Sequence, residues 1–279
     1  MEIEKSTILN KKETELKKLW YKDINVYTNL FSFLAKKETC FKSKSFDEYC
    51  IRALNFMKLD FFEYTLKFYN FFERDYNIYI STAYYNFIPF FDLNLKNRSN
   101  QTNKWFLNMA EGNINDYDFL IDFDCKNKRD FNKMTKEIIF FLKLLNDNKV
   151  TFYIIPSGSN FQVVLKNFNT FKKEEIKDIS LFLKENLDLI YSDLAGIGTA
   201  FKIMKCPFGF VGNIGCIPLN ENEIKDFKNI AKNYKKYFNV KNILNKKLLN
   251  EKRGLINYIS KEETQKNLRL FFKKYNCVW

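Results

Sequence analysis

The chain has 279 residues, 46% of them hydrophobic, and its 46 lysines and arginines outnumber its 33 acidic residues to give a net charge of +13. This length and apolar content exclude a largely disordered chain and allow one large domain or two small ones. No apolar run approaches the ~18 residues of a membrane-spanning helix, and the N-terminus lacks the pattern of a secretion signal. We therefore expect a cytoplasmic protein without a membrane partner.

The basic charge and the aromatic content, with 31 phenylalanines, 16 tyrosines and 3 tryptophans, favour a nucleic-acid partner. Lysine and arginine neutralise phosphates, and aromatic rings stack on bases. An AT-rich genome would enrich lysine, asparagine, phenylalanine, isoleucine and tyrosine in the same way without any ligand. The composition therefore supports this class of partner and does not identify it.

Six cysteines occur without a Cys-x-x-Cys pair, and the chain has no histidine: they are Cys40, Cys50, Cys125, Cys206, Cys216 and Cys277. A structural zinc ion is not expected from this spacing, and we predict reduced thiols. The weaker alternatives are a disulfide between Cys206 and Cys216, or a metal that these two share with Cys40 and Cys50.

Residues 1–75 are predicted to form an N-terminal helical segment that packs on the rest of the fold. Apolar residues recur there at helical spacing in two stretches, the second over residues 54–69. Ser45 and Glu48 have the spacing of a capping box for a helix that continues through Ile51. The periodicity changes after this segment, where β-branched and aromatic residues predict a strand over residues 76–85.

Asp122 and Asp124 follow a short apolar run at 119–121 that is predicted to be a strand. Residues i and i+2 of a strand share one face, so both carboxylates would project together at its end. Like charges at this spacing repel unless a cation lies between them, and oxygen ligands suit Mg²⁺ or Mn²⁺. A solvated turn is the alternative interpretation of this pair.

The remaining elements alternate between helix and strand periods. They are a helix at 130–146, strands at 150–155 and 161–165 with a turn at 156–159, a helix at 173–189, a second β region at 200–219, and basic helices at 221–238 and 260–275. We predict an α/β (α+β) fold with a mixed-sheet core at 76–220 and a basic helical segment at 221–279. Lysines of that last segment either follow the phosphates of a nucleic acid or form solvated faces.

Several short motifs follow one another in a fixed order between residues 75 and 219. They are residues 78–81 with Tyr84, Tyr85 and Pro89; Asp-Phe-Asp at 122–124; Ser-Gly-Ser-Asn-Phe-Gln at 157–162; Ser-Asp at 192–193; and KIMKCPFGFVGNIG at 202–215, followed by Ile-Pro-Leu at 217–219. In this order they resemble the archaeo-eukaryotic primase superfamily, in particular the catalytic small subunit of replicative primases.

The resemblance implies a DNA-dependent primase or primase-polymerase, which joins NTPs or dNTPs on a single-stranded DNA template. It implies two divalent ions, Mg²⁺ or Mn²⁺, on three catalytic carboxylates: Asp122, Asp124 and Asp193. The residues that it implies at the nucleotide are Ser157, Gly158, Ser159, Gln162, Lys202 and Lys205. A primase large subunit or a helicase would be a further partner.

Four positions depart from the family pattern. Gln162 stands where the family has a histidine that contacts the triphosphate, Lys202 and Lys205 replace arginines, and Val211 replaces a second histidine. Lysine neutralises phosphate without the bidentate fork of arginine, and glutamine adds neither positive charge nor a transferable proton. The alternative function is therefore a catalytically inactive primase-fold subunit that binds nucleic acid or a replication partner. A stand-alone plasmid, viral or defence-associated enzyme is a third.

Simpler roles remain open for five of these residues. Asp193 would be a solvated acid at a helix end, like the nearby Asp188. Ser157 and Gly158 would form only a tight turn. Lys202 and Lys205 are three residues apart and need not both reach a ligand, so one of them would be surface charge.

Overall fold

The computed structural model describes residues 7–23, 30, 34, 37–43, 50–53, 66–67, 70–86, 112–158, 160–168, 171–194, 202–245 and 261–275. The chain divides into two compact units, each built from separate stretches of sequence. The first unit comprises Met1–Asn115, Ala200–Cys216 and Phe238–Glu251, and the second comprises Asp116–Thr199, Ile217–Tyr237 and Lys252–Trp279. Both helices and sheets are present, so the predicted α/β (α+β) class is confirmed.

The described elements alternate along the chain. The strands are β1 (Lys37–Ser43), β2 (Cys50–Ala53), β3 (Tyr76–Tyr85), β4 (Ile114–Tyr117), β5 (Phe119–Phe123), β6 (Phe152–Ser157), β7 (Asn160–Leu165), β8 (Ser192–Asp193), β9 (Ile203–Lys205), β10 (Phe210–Val211) and β11 (Ile214–Gly215). The helices are α1 (Lys11–Lys22), α2 (Phe131–Asp147), α3 (Lys173–Asn186), α4 (Glu221–Lys225), α5 (Phe227–Lys232), α6 (Tyr234–Tyr237), α7 (Val240–Asn245) and α8 (Lys261–Lys274).

The first unit contains a sheet of order β2-β1-β3-β4, in which β9 also pairs with β3. Helix α1 begins at a capping box formed by Asn10 and Glu13. It buries Trp20, whose indole Nε1 donates a hydrogen bond of 2.8 Å to the carbonyl of Phe208. A Cβ at Gly215 would lie 2.5 Å from the Trp20 ring, so only glycine permits this close approach of the β10–β11 hairpin.

The helical prediction for residues 1–75 is wrong for β1 and β2. Residues of β1 pair with β3 on one side and with β2, which includes Ile51, on the other. Non-local strand pairing overrides weak helical periodicity because Thr39 and Phe41 fit a buried pleated surface. Ser45 and Glu48 lie outside the described residues, as does most of the stretch 54–69.

The second unit contains a sheet of order β6-β7-β5-β8, and its three pairings are all antiparallel. Because β5 and β6 are each antiparallel to β7 between them, they run in the same direction, and α2 connects them. A mixed sheet was predicted for the core at 76–220, but the sheet of this unit has antiparallel neighbours in all three pairings. The reason is that β7 lies between β5 and β6 and separates these two parallel strands. Helix α2 covers this unit's core with a buried apolar stripe: Met134, Ile138, Phe141, Leu142 and Leu145.

Most other predicted elements of the second unit are confirmed within a few residues. The helix predicted at 221–238 is instead divided into α4, α5 and α6. Asp226 and Asn233 lie at the breaks with ψ angles of 15° and 21°. Short polar side chains such as these favour caps over helix interiors, which explains the division. The turn predicted at 156–159 starts later, since Pro156 and Ser157 still belong to β6.

The prediction of reduced thiols is wrong for Cys40, which is disulfide-bonded, and its partner lies outside the described side chains. Such a bond is more typical of oxidising compartments than of the cytoplasm. Cys125, Cys206 and Cys216 are free thiols. Burial raises the pKa of Cys216 to about 11 and that of Cys206 well above its ordinary value, so neither is a reactive thiolate.

Among the described residues, no helix combines the length and the apolar character required to cross a lipid bilayer.

Candidate functional site

Three polar residues on neighbouring strands form a row across the sheet of the second unit. Asp122 on β5 lies directly opposite Gln162 on β7 and directly opposite Asp193 on β8. Residues opposite each other in antiparallel strands share a face, with Cβ atoms about 4.5–5.5 Å apart. Gln162, Asp122 and Asp193 therefore lie side by side, and we call them the polar row.

Gln162 orients the central carboxylate of the polar row. Its Nε2 donates a hydrogen bond of 2.6 Å to Asp122 Oδ1, and the glutamine side chain is buried. A neutral amide in this position adds no charge and transfers no proton. Its structural contribution is to hold Asp122 in one orientation beside Asp193.

Asp124 lies one residue beyond β5 and has an amide partner of its own. Asn160 Nδ2 donates a hydrogen bond to Asp124 Oδ1, and the Cys125 amide donates to Asn160 Oδ1 at 3.3 Å. Two aspartates that are two residues apart on β5 and just beyond it thus accept hydrogen bonds from two side-chain amides that are two residues apart on β7. Asn160 was missed as a site residue, although its position two residues before Gln162 carries the period-two signal that identified the aspartates.

A turn before β8 brings Asp193 to this edge of the sheet. The Tyr191 carbonyl accepts a hydrogen bond of 2.9 Å from the Asp124 amide, continuing the β5–β8 pairing. The amides of Ile190 and Tyr191 donate to the carboxylate of Glu137, at 2.8 and 3.0 Å. Glu137 was also missed as a site residue. In the sequence it is a single acidic residue next to the apolar stripe of α2.

The predicted nucleotide-binding residues are distributed over both units. Ser157 and Gly158 lie at the end of β6 and in the turn that leads to β7, where Gly158 has a φ of +71°. Lys202 and Lys205 belong to the first unit, Lys202 before β9 and Lys205 at its end. Ser159 lies outside the described residues. The structure therefore brings together Asp122, Asp124, Asp193 and Gln162, next to the Ser157–Gly158 hairpin.

The acidic residues of the site are of the type that binds divalent cations, and two of them are neighbours in the sheet. All its acidic donors are carboxylate oxygens, the class that Mg²⁺ and Mn²⁺ prefer, and Asp122 and Asp193 are neighbours across two strands. The side chains are arranged differently from a closed three-carboxylate centre. Within the described ranges, no group of three or more histidine, cysteine or acidic side chains is placed to hold a metal, and amides occupy one oxygen each of Asp122 and Asp124.

The carboxylate of Glu137 has an altered proton affinity. Burial raises the pKa of Glu137 from 4.5 to about 7; the hydrogen bonds from Tyr191 and Ile190 act in the opposite direction, and the charge of Asp188 adds to the increase. Lys133 and Asp130 are the other charges near Tyr191. The folded state therefore binds this proton more tightly than the unfolded state does.

We expect the free energy of unfolding to fall as the pH rises from about 4.5 to about 7, and this decrease to be smaller in Glu137→Gln. Above pH 7 the carboxylate is ionised in both states and its contribution is constant. Urea unfolding of both proteins at half-unit pH intervals measures the difference. Parallel profiles for the two proteins would contradict the prediction.

Comparison of the chain with protein-family models, with curated proteins and with solved structures found no match in any of the three.

Proposed function

We propose that this protein is a primase-type nucleotidyltransferase, which joins NTPs or dNTPs on a single-stranded DNA template with Mg²⁺ or Mn²⁺. One observation carries the proposal: Asp122 and Asp193, which are far apart in the sequence, lie directly opposite each other on β5 and β8. Asp124 follows two residues after Asp122 on the same side. Two carboxylates at adjacent strand positions, with a third beyond them, form a donor set suited to divalent ions.

Divalent ions bound by Asp122, Asp124 and Asp193 would supply Lewis-acid activation of a hydroxyl and neutralise charge on phosphate. The chain's own residues have separate tasks in this proposal. Gln162 and Asn160 orient Asp122 and Asp124 through the hydrogen bonds already described.

The incoming triphosphate would be held by residues outside the polar row. Ser157 offers a hydroxyl and Gly158 an amide in a turn with positive φ, a geometry that favours anions. Lys202 and Lys205 belong to the first unit, and their contact with phosphate as point charges remains a prediction from the sequence resemblance. The net charge of +13 supports an extended contact with the template backbone. A primase large subunit or a helicase is the proposed protein partner, and a cytoplasmic location remains a prediction.

A second candidate function is a primase-fold subunit without catalysis, which binds nucleic acid or a replication partner. The observation that favours it is that the amides of Gln162 and Asn160 donate to one oxygen each of Asp122 and Asp124. Gln162 in the position of a family histidine points in the same direction. Both functions predict binding of single-stranded DNA, so binding alone does not separate them.

Incorporation of labelled NTPs and dNTPs on primed and unprimed single-stranded DNA, with Mg²⁺ or Mn²⁺, tests the proposal. We expect extension that requires the metal and stops when EDTA is added in excess. Binding to the same labelled template is measured in parallel by fluorescence anisotropy. Retained template binding without extension by either nucleotide class would reject the enzyme and favour the non-catalytic subunit.

A further inference from the structure

The strand that carries Asp193 is too short to hold its own position. β8 has two residues, Ser192 and Asp193, and among the described strands it pairs with β5 at the edge of the sheet. Asp193 itself is exposed. The residues that precede β8 therefore contribute to the position of Asp193 beside Asp122.

Those residues form a tight turn held by hydrogen bonds within itself. Asp188 has a φ of +49°, its carbonyl accepts from the Ile190 amide at 2.8 Å, and Ser192 Oγ donates to the carbonyl of Leu189 at 2.6 Å. This geometry directs two successive amides, those of Ile190 and Tyr191, to one side. Successive amides arranged in this way form a concave site for an anion.

Glu137, from a different part of the chain, supplies the acceptor oxygens for these two amides. Its two carboxylate oxygens each accept one of the two amides, at 2.8 Å from Ile190 and 3.0 Å from Tyr191. The neighbouring Ile138 and Phe141 are buried, so α2 is fixed on the core. The carboxylate therefore connects the turn to a helix whose apolar stripe is buried in the core of the second unit.

The backbone of Tyr191 links Glu137 to both Asp124 and Asp193. Its amide is bound by Glu137, its carbonyl accepts the Asp124 amide at 2.9 Å, and it is followed by Ser192 and Asp193 of β8. A displacement of the turn would move Asp193 away from Asp122 and release the backbone of Asp124 in the same step.

We propose that Glu137 is a positioning residue, which holds the turn at 188–191 against α2 and thereby sets Asp193 and Asp124 relative to Asp122. Its role as a functional residue rests on the proposed function. Glu137 does not need to contact a metal or a nucleotide. A partner in the second coordination shell typically contributes 10- to 100-fold to metal affinity or activity.

Glu137→Gln and Glu137→Ala test this inference. Glutamine keeps one acceptor oxygen and places an NH₂ group against the second amide, whereas alanine removes both acceptors. The control is Asp147→Asn, which removes a negative charge from the exposed last turn of the same helix. Mn²⁺ affinity is measured by electron paramagnetic resonance of the free ion, and amide hydrogen exchange is measured at Ile190, Tyr191 and Asp124.

We expect the Kd for Mn²⁺ to rise by about 10-fold in Glu137→Gln and by up to about 100-fold in Glu137→Ala. Exchange at the three amides should accelerate in the same order, and the control should match the wild type. In the incorporation assay, kcat should fall while KM for the nucleotide stays close to the wild-type value. A purely structural role would lower the folded fraction without changing the Mn²⁺ affinity of the protein that remains folded.

Wild-type exchange at the three amides in Glu137→Gln would overturn the inference, and so would a normal Mn²⁺ affinity in a variant whose exchange is accelerated. If Glu137→Ala does not fold, the isosteric glutamine variant alone decides between these outcomes. A wild-type protein that binds no Mn²⁺ would instead reject the proposed function, and the exchange rates would still show whether Glu137 holds the turn.

Discussion

Replacement of Asp193 by asparagine is expected to lower the rate of nucleotide incorporation by about 10²- to 10³-fold, the usual loss when one electrostatic group of a reaction centre is removed. The residue is exposed on a two-residue strand, so the substitution should change stability little. It removes the charge that lies opposite Asp122 while it keeps the size of the side chain. Single-nucleotide extension at saturating Mn²⁺ measures the effect.

Asp188→Asn is the matched control for this experiment. Asp188 is exposed in the turn after α3 and has a φ of +49°, a conformation that asparagine tolerates well. Removal of the Asp188 charge should leave the rate of nucleotide incorporation within a few-fold of the wild-type rate. The double variant Asp122→Ala/Asp124→Ala should reduce extension to background. Equal rates for Asp193→Asn and Asp188→Asn would contradict the assignment of Asp193 to the site.

Lys17→Met is expected to lower the free energy of unfolding of the first unit by about 3 kcal/mol or more. Lys17 is fully buried in α1, and its Nζ donates to three backbone carbonyls: those of Phe71 at 2.6 Å, Arg74 at 2.9 Å and Tyr76 at 2.7 Å. Each hydrogen bond to a charged group contributes about 1.5–3 kcal/mol. Methionine has a similar length and no donor, so it removes these bonds together with the charge of Lys17, which lies 3.6 Å from the centre of the Phe71 ring.

The charge of Lys17 limits the size of this effect. Burial lowers the pKa of Lys17, and Asp75 and Glu73 raise it. Three acceptors require three N–H groups, which only the ammonium form supplies. Removing a buried charge also removes its desolvation cost, so the net loss should be smaller than the sum of three bonds.

Lys18→Met is the control because it removes the adjacent lysine from the surface of the same helix. Lys18 forms an ion pair of 2.7 Å with Glu73, and both side chains are about half exposed. Such pairs contribute about 0–1 kcal/mol. Guanidinium unfolding followed by circular dichroism should separate the two variants clearly. Similar midpoints would show that Lys17 does not anchor α1 to the start of β3.

Local patterns predicted the parts of the site that lie within single elements. The apolar run before Asp122 and the spacing to Asp124 correctly place a strand and two carboxylates at its end. The apolar stripe of α2 is as regular in the structure as in the sequence. These predictions succeed because periods of 2 and 3.6 residues are properties of one strand or one helix.

The same reasoning failed where partners are distant in the chain. The helical prediction is wrong for β1 because its strand character depends on pairing with β3, which begins more than thirty residues after β1 ends. It is wrong for β2 because that strand in turn pairs with β1. Glu137 could not be assigned from sequence, since its two partners are 53 and 54 residues away.

The sequence alone determined the mixed α and β class, the basic charge, and the two aspartates that end a buried strand. Only the tertiary structure decided that Asp193 lies opposite Asp122, that Gln162 and Asn160 each hold one aspartate, and that Glu137 anchors the turn before β8. The physical reason is that periodicity reports which face a side chain occupies, whereas strand order and register follow from the packing of the whole unit.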